Sequence, residues 1–145
     1  MIGVLIACSK YSAVKAVSPQ WLDQPQAVLD AEMIRSAFLE KFNFPRENTH
    51  TLINPSAAQI DHAFGKIAAK CKNQHRKTAV FYFLLGHMEM KDKANTQLHQ
   101  LLLCEEDPGS KFFVTFRADQ VIGELAKRFP HSLHFALFKD YDRAE

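Results

Sequence analysis

The chain has 145 residues, enough for one domain with a real core, and 47% of them are hydrophobic. A net charge of +2, with Lys and Arg scattered rather than striped, leaves no electrostatic footprint for nucleic acid. The three cysteines, at 8, 71 and 104, have no CxxC spacing and leave an odd one over, which argues against a disulfide frame or a thiolate zinc site and for free thiols in a reducing cytoplasm.

The first apolar run, Ile2–Cys8, follows no basic segment and is too short to span a membrane, so it reads as a strand buried on both faces. Ser9–Pro25 is a long polar connection that contains Trp21 and two prolines, a length that is uncommon unless the loop has a task. From Gln26 the pattern becomes helical: Ala27, Ala31, Ile34 and Phe38 share a face, and the helix should stop before Asn43-Phe44-Pro45. Thr49–Ile53 is β-branched and reads as a second strand. Asn54-Pro55-Ser56 then supplies capping side chains for a helix whose stripe is Ile60, Phe64, Ile67 and Cys71, the thiol serving there as a small buried hydrophobe. Lys70–Lys77 reads as a basic, polar turn.

Thr78–Met88 (TAVFYFLLGHM) is the most informative stretch. Its apolar run is too continuous for a strand with one wet face, and it ends abruptly in Gly86-His87. Beyond it, Glu89–Gln97 reads as charged and flexible, Leu98–Cys104 as an apolar strand, Asp107-Pro108-Gly109 as a turn and Phe112–Phe116 as a short strand. Ala118, Val121, Ile122, Leu125 and Phe129 form a last helical stripe, ended by Pro130. Leu133–Phe138 is then expected to be another buried strand, running into Lys139–Glu145.

Alternating strands and helices predict an α/β fold, residues 1–145 forming a single domain with a mostly parallel sheet and helices on both faces. In such a sheet the carboxyl ends of the strands line one edge, where ligands bind. That edge would gather Cys8, His87 and Lys139–Asp142. A Cys and a His brought together there are a candidate nucleophile and base, since an imidazole can draw a thiol to its thiolate. No glycine-rich phosphate loop follows any strand, the five glycines standing at 3, 65, 86, 109 and 123, which disfavours a nucleotide-type site. No metal or cofactor is indicated.

The pieces resemble, in order, the caspase-type cysteine peptidase domain in its bacterial and metacaspase-like branch. VLIACSKYS resembles that family's first strand and its small-residue, Asn-or-Ser, x, Tyr ending. LDAEMIRSAFLEKFNFPRENTHTLINPSAAQIDHAF resembles the stretch that follows, with its Asp-Ala. TAVFYFLLGHM resembles the base-bearing strand, LLLCEEDPG the segment after it, and RADQVIGELAKRFPHSLHFALFKDYDRA the helix and strand that lead to the nucleophile. The resemblance implies a three-layer sandwich corresponding to the family's larger portion, with Gly86 and His87 as the general-base motif. It also implies a substrate-binding role for Asp30, at the Asp-Ala position.

Two departures stand out. Met88 replaces the second glycine of the base motif, and no cysteine lies in Lys139–Asp142, where Tyr141 or Asp142, depending on register, holds the nucleophile's place. Neither substitutes for a thiolate in peptide-bond attack at neutral pH, because Tyr titrates near pH 10 and carboxylate nucleophiles suit other transfers (about 10 for the free side chain). The expectation is therefore a pseudopeptidase acting as a regulatory or interaction module in signalling, cell death or defence. The competing expectation is an active endopeptidase that uses a relocated thiol, Cys8 or Cys104, or a nucleophile from another chain. Family members continue with further strands, so two expectations stand side by side: an open edge on the last strand, offered to a protein or peptide partner or a second copy, or a continuation of the chain that covers that edge.

Overall fold

Two unbroken apolar segments set the centre of the molecule. In the computed structural model, which describes residues 1–14, 21–73, 77–93 and 96–141, β1 (Ile2–Ala7) and β3 (Thr78–Gly86) lie side by side in parallel, Ile2 opposite Val80 and Ala7 opposite Leu85. β2 (Thr49–Ile53) pairs with the other side of β1 and β7 (Ser132–Asp140) with the other side of β3, so the order is β2-β1-β3-β7 and every pairing is parallel. All six residues of β1 are buried, as both faces are covered.

Helix α1 (Pro25–Glu40) covers one face, and α2 (Ala57–Asn73) and α3 (Ala118–Arg128) pack on the other, giving the three layers of an α/β sandwich. Pro25 opens α1 where its missing N–H costs nothing. Ala27, Ala31 and Phe38 then meet Leu5, Ala7, Phe44 and Leu85. The larger core lies on the opposite face, where Ile2, Val4, Ile6, Val80, Tyr82 and Leu84 pack with Ile60, Phe64 and Ile67 of α2 and Ile122 and Leu125 of α3.

A second sheet stands at the carboxyl end of the first. β4 (Met88–Lys93), β5 (Thr96–Asp107) and β6 (Phe112–Arg117) are antiparallel in the order β4-β5-β6, with an irregularity between Leu102 and Glu106. The expectation of a flexible Glu89–Gln97 is corrected: apart from residues 94–95, outside the described set, this stretch belongs to β4 and β5. The alternation Met88-Glu89-Met90-Lys91 carries the strand period beneath the charge, and cross-strand pairing with Leu98–Leu101 realises it. The basic turn expected over Lys70–Lys77 is also corrected at its start, since α2 continues to Asn73, and residues 74–76 lie outside the described set. Lys70 is held there by the Glu47 carbonyl and by Asn48 Oδ1 at 2.8 Å.

The last strand departs most from expectation. Leu133, Phe135 and Leu137 of β7 are 48%, 51% and 51% exposed rather than buried. They share the α1 face with Ala79, Phe81 and Phe83 of β3, but α1 packs mainly on β1, β2 and β3 and reaches the terminal strand at its carboxyl end, where Asp30 meets Lys139. Phe135 still stacks on Phe81 at 5.2 Å between ring centroids. Among the described residues no helix is long and apolar enough to cross a membrane.

The tightest contact between layers is at Gly3, where a Cβ would lie 2.8 Å from two carbons of the Phe38 ring. That ring is stacked on Phe44 at 4.5 Å and has nowhere to swing. Gly3→Ala is therefore expected to lower the unfolding free energy by about 1–3 kcal/mol, the usual cost of overpacking, read as a lower denaturant midpoint with unchanged slope.

Candidate functional site

The carboxyl edge of the parallel sheet is built on a glycine. Gly86 adopts φ 151°, and a Cβ there would lie 2.4 Å from the Tyr11 hydroxyl oxygen, so both conformation and space require glycine. Tyr11 sits in a short 3-10 turn, Tyr11–Ala13, directly beyond the end of β1. Its hydroxyl donates to the Leu102 carbonyl at 2.8 Å and accepts the His87 N–H at 2.8 Å. The Leu102 N–H returns a bond to the His87 carbonyl at 2.9 Å. Three segments far apart in sequence are thus tied at one buried oxygen. Burial pushes the Tyr11 phenol well above its usual range, so it stays an O–H donor.

His87 follows as expected from its place after β3, but its side chain is fully buried. The ring lies between Tyr11, 4.4 Å away between centroids, and Trp21, 5.3 Å away and edge-on. Nε2 is 3.0 Å from the Leu22 carbonyl and 3.4 Å from Gln24 Nε2. A carbonyl only accepts, so Nε2 carries a proton, and Nδ1 has no hydrogen-bond partner among the described residues. The connection after β1, of which residues 15–20 lie outside the described set, folds Trp21, Leu22 and Gln24 over the imidazole. Trp21 itself packs on Phe112 and Phe113 of β6.

Among the described hydrogen bonds neither candidate thiol is a partner of that ring. Just past β1, Cys8 is buried, while Cys104 on β5 is half-buried. A hydrogen bond with Cys104, together with burial, pushes the Cys8 thiol up, and the same hydrogen bond holds the Cys104 thiol down. Asn54, with φ 48°, buttresses this corner: its Oδ1 accepts the Ser9 N–H at 2.8 Å and the Lys10 N–H at 3.3 Å, and its Nδ2 donates to Ser9 Oγ at 3.0 Å.

The end of β7 forms a separate cluster. Tyr141 is buried beside Ala7, Ala27, Ala31 and Leu85, and its hydroxyl donates to Asp30. Lys139 Nζ binds the same carboxylate at 2.9 Å, and Gln26 Nε2 bonds its other oxygen at 2.8 Å. The Tyr141 hydrogen bond, with help from Lys139 and Gln26, holds the Asp30 carboxyl down at about 2. Burial and the Asp30 charge push the Tyr141 phenol up. Asp140 Oδ1 accepts the Met88 N–H at 3.1 Å, and the Tyr141 N–H reaches the Gly86 carbonyl at 3.3 Å. Two residues singled out in sequence for different roles, Asp30 and Tyr141, are therefore joined, and the carboxylate is already occupied by a lysine of its own chain. Asp142 lies outside the described residues.

Tyr11, Trp21 and Asn54 are site residues that sequence reasoning did not place at this edge, and the pairing of Lys139 with Asp30 was not foreseen. Tyr11 stood within the VLIACSKYS motif, but nothing in a single sequence says that its hydroxyl reaches across to β5. Among the described residues no three His, Cys, Asp or Glu side chains converge as metal ligands. The class defined here is a parallel α/β three-layer domain with a polar, aromatic-plugged carboxyl edge. No known family model and no curated protein matches the chain.

Removing the Tyr11 hydroxyl in Tyr11→Phe strands a buried N–H and a buried carbonyl, so unfolding free energy should fall by about 1–3 kcal/mol, measured by denaturant titration. A pH prediction follows from Asp30. Its folded pKa is depressed, so its contribution is complete above the ordinary carboxylate range and is lost as pH falls from about 4 to about 2. Asp30→Asn should lower stability at neutral pH and flatten the acid limb of a Tm-against-pH curve in that window.

Proposed function

We propose that the chain is a caspase-type pseudopeptidase that works by contact, as a regulatory or protein-interaction module of a signalling, cell-death or defence system in a reducing cytoplasm. The observation that carries this reading is the environment of His87. Its ring is enclosed by Tyr11 and Trp21 with Nε2 given to the Leu22 carbonyl, whereas a general base must reach the proton it removes directly or through one water. The strand end opposite offers Lys139, Asp140 and Tyr141, with the tyrosine hydroxyl committed to Asp30. The acidic side chain that would take a basic substrate residue already holds Lys139.

The bare face of β7 supports the interaction half of the reading. Leu133, Phe135 and Leu137 alternate along a terminal strand whose outer edge is unpaired among the described strands. An apolar edge of this kind suits addition of a strand from a protein or peptide partner, a second copy included. Introducing Leu133→Lys and Leu137→Lys together should abolish any concentration-dependent association seen by light scattering while leaving Tm within a few degrees.

The peptidase reading is tested with a thiol-reactive peptide electrophile at neutral pH, applied to the wild-type chain and to His87→Ala and His87→Gln variants. The expected result is no peptide cleavage and labelling of Cys8 and Cys104 unchanged by either substitution. Cleavage of basic- or acidic-residue peptides, with labelling that falls about tenfold or more when His87 is replaced, would establish a working dyad and overturn the proposal.

A further inference from the structure

The outer edge of β2 ends the parallel sheet on the side away from β7, and among the described residues no strand pairs with it. The Asn54 N–H bonds the Ala7 carbonyl at 2.8 Å, so by strand alternation the backbone groups of His50 and Leu52 also face β1, and those of Thr51 and Ile53 face outward. Edges of this kind are usually blunted by lysine, proline or a bulge, and Thr49–Ile53, in unbroken register with β1, has none of them. Beside the edge runs a groove of about 560 Å³ between β2 and α2, lined in part by His50, Leu52, Gln59, His62, Ala63 and Lys66. We propose that this edge and groove are the docking site for an extended, acidic segment of a protein partner, which adds to β2 as a strand and turns its carboxylates toward α2.

The groove is walled by hydrogen-bond donors. Leu52 packs into the larger core on the α2 side, so His50 looks the same way and Thr51 and Ile53 look the other. Gln59, His62 and Lys66 recur at helical spacing on the α2 face that lines the groove. Ser56 and Gln59 cap that helix reciprocally: Gln59 Oε1 accepts the Ser56 N–H at 2.9 Å, and Ser56 Oγ accepts the Gln59 N–H at 3.2 Å. The amide oxygen of Gln59 is thereby committed, and its Nε2 is left as a donor. Lys66 has no ion-pair partner among the described residues. The described lining holds no carboxylate. Glu105 stands off one end, its Oε2 accepting the Ala57 N–H at 3.3 Å. Lys70 stands at the other, given to the Glu47 carbonyl and Asn48, with Nζ 3.5 Å from His50 Nε2. Burial, with Lys70 and Lys66 nearby, pushes the His50 imidazole below its usual range, in keeping with a positive surrounding that a carboxylate would offset.

A strand laid along this edge exchanges hydrogen bonds with the outward N–H and C=O groups of Thr51 and Ile53, which give affinity without regard to sequence. Selectivity follows from the two-residue period. Every second side chain of the partner meets the His50, His62 and Lys66 side, where a carboxylate is matched and an ammonium is repelled. The side chains between them fall beside Thr51 and Ile53, the latter 41% exposed, and suit β-branched groups. The segment expected is therefore an alternation of acidic and β-branched residues about as long as β2. This surface lies on the opposite edge from β7 and uses none of the residues behind the pseudopeptidase reading, so the two proposals stand or fall separately.

The test titrates the full-length chain, by fluorescence anisotropy, with a labelled, end-blocked peptide in which glutamate alternates with valine and threonine. Two controls accompany it: one with lysine in place of each glutamate, and one of the same composition with its glutamates consecutive. The expected result is saturable one-to-one binding of the alternating glutamate peptide, about tenfold or more weaker for the lysine control and about fivefold weaker for the consecutive one. In the complex, hydrogen exchange should slow at the Thr51 and Ile53 amides. His62→Glu with Lys66→Glu, both exposed on α2, should weaken binding about tenfold or more while Tm stays within a few degrees. Leu133→Lys with Leu137→Lys on β7 should leave it unchanged. No saturable binding, equal binding of either control, or exchange slowed along β7 instead of at Thr51 and Ile53 would overturn the assignment.

Discussion

The Tyr11 hydroxyl is the point on which the carboxyl edge of this protein depends. One buried oxygen accepts the His87 N–H and donates to the Leu102 carbonyl, joining the connection after β1, the end of β3 and the middle of β5. Gly86 exists to leave it room, because any Cβ at that position would fall on the oxygen itself. With both buried backbone groups satisfied by one side chain, the junction needs no water, and aromatic rings can close over it.

That closure decides what the edge can do. Open α/β sheets place chemistry where parallel strands end because the diverging loops leave a crevice there. Here Trp21, Leu22 and Gln24 occupy the crevice above His87, and Tyr141, Lys139 and Asp30 close the neighbouring strand end into an ionic and hydrogen-bonded clasp. The same clasp ties α1 to β7 at one end only. Further back along β7, Leu133, Phe135 and Leu137 stay half-exposed. A sealed strand end and an apolar strand edge are therefore two results of one arrangement, and both favour recognition over catalysis in the proposed role.

The parts of the fold readable in sequence were those written in local periodicity. Continuous apolar runs marked β1 and β3, a 3.6-residue stripe marked α1, α2 and α3, and Pro25, Asn43-Phe44-Pro45 and Pro130 bounded helices. The strand β4 was hidden because charged residues masked a two-residue alternation that only pairing with β5 makes meaningful. The half-exposed face of β7 was hidden for the opposite reason: LHFALF is as apolar as a buried strand, and which neighbour covers it is a property of the whole sheet. At the site, Gly86 and His87 were conspicuous as an abrupt end to an apolar run. The roles of Tyr11, Asn54 and Lys139 rest on contacts between distant segments and leave no local trace.

Access to the His87 imidazole is the most direct measure of this account. Treating the folded chain with a reagent that acylates accessible imidazoles, and quantifying each histidine by peptide mapping, compares His87 with the exposed His62 and His131 in one sample. The account predicts that His62 and His131 are modified while His87 stays protected until the chain is unfolded. Modification of His87 in the folded protein at the rate of the exposed histidines would contradict it.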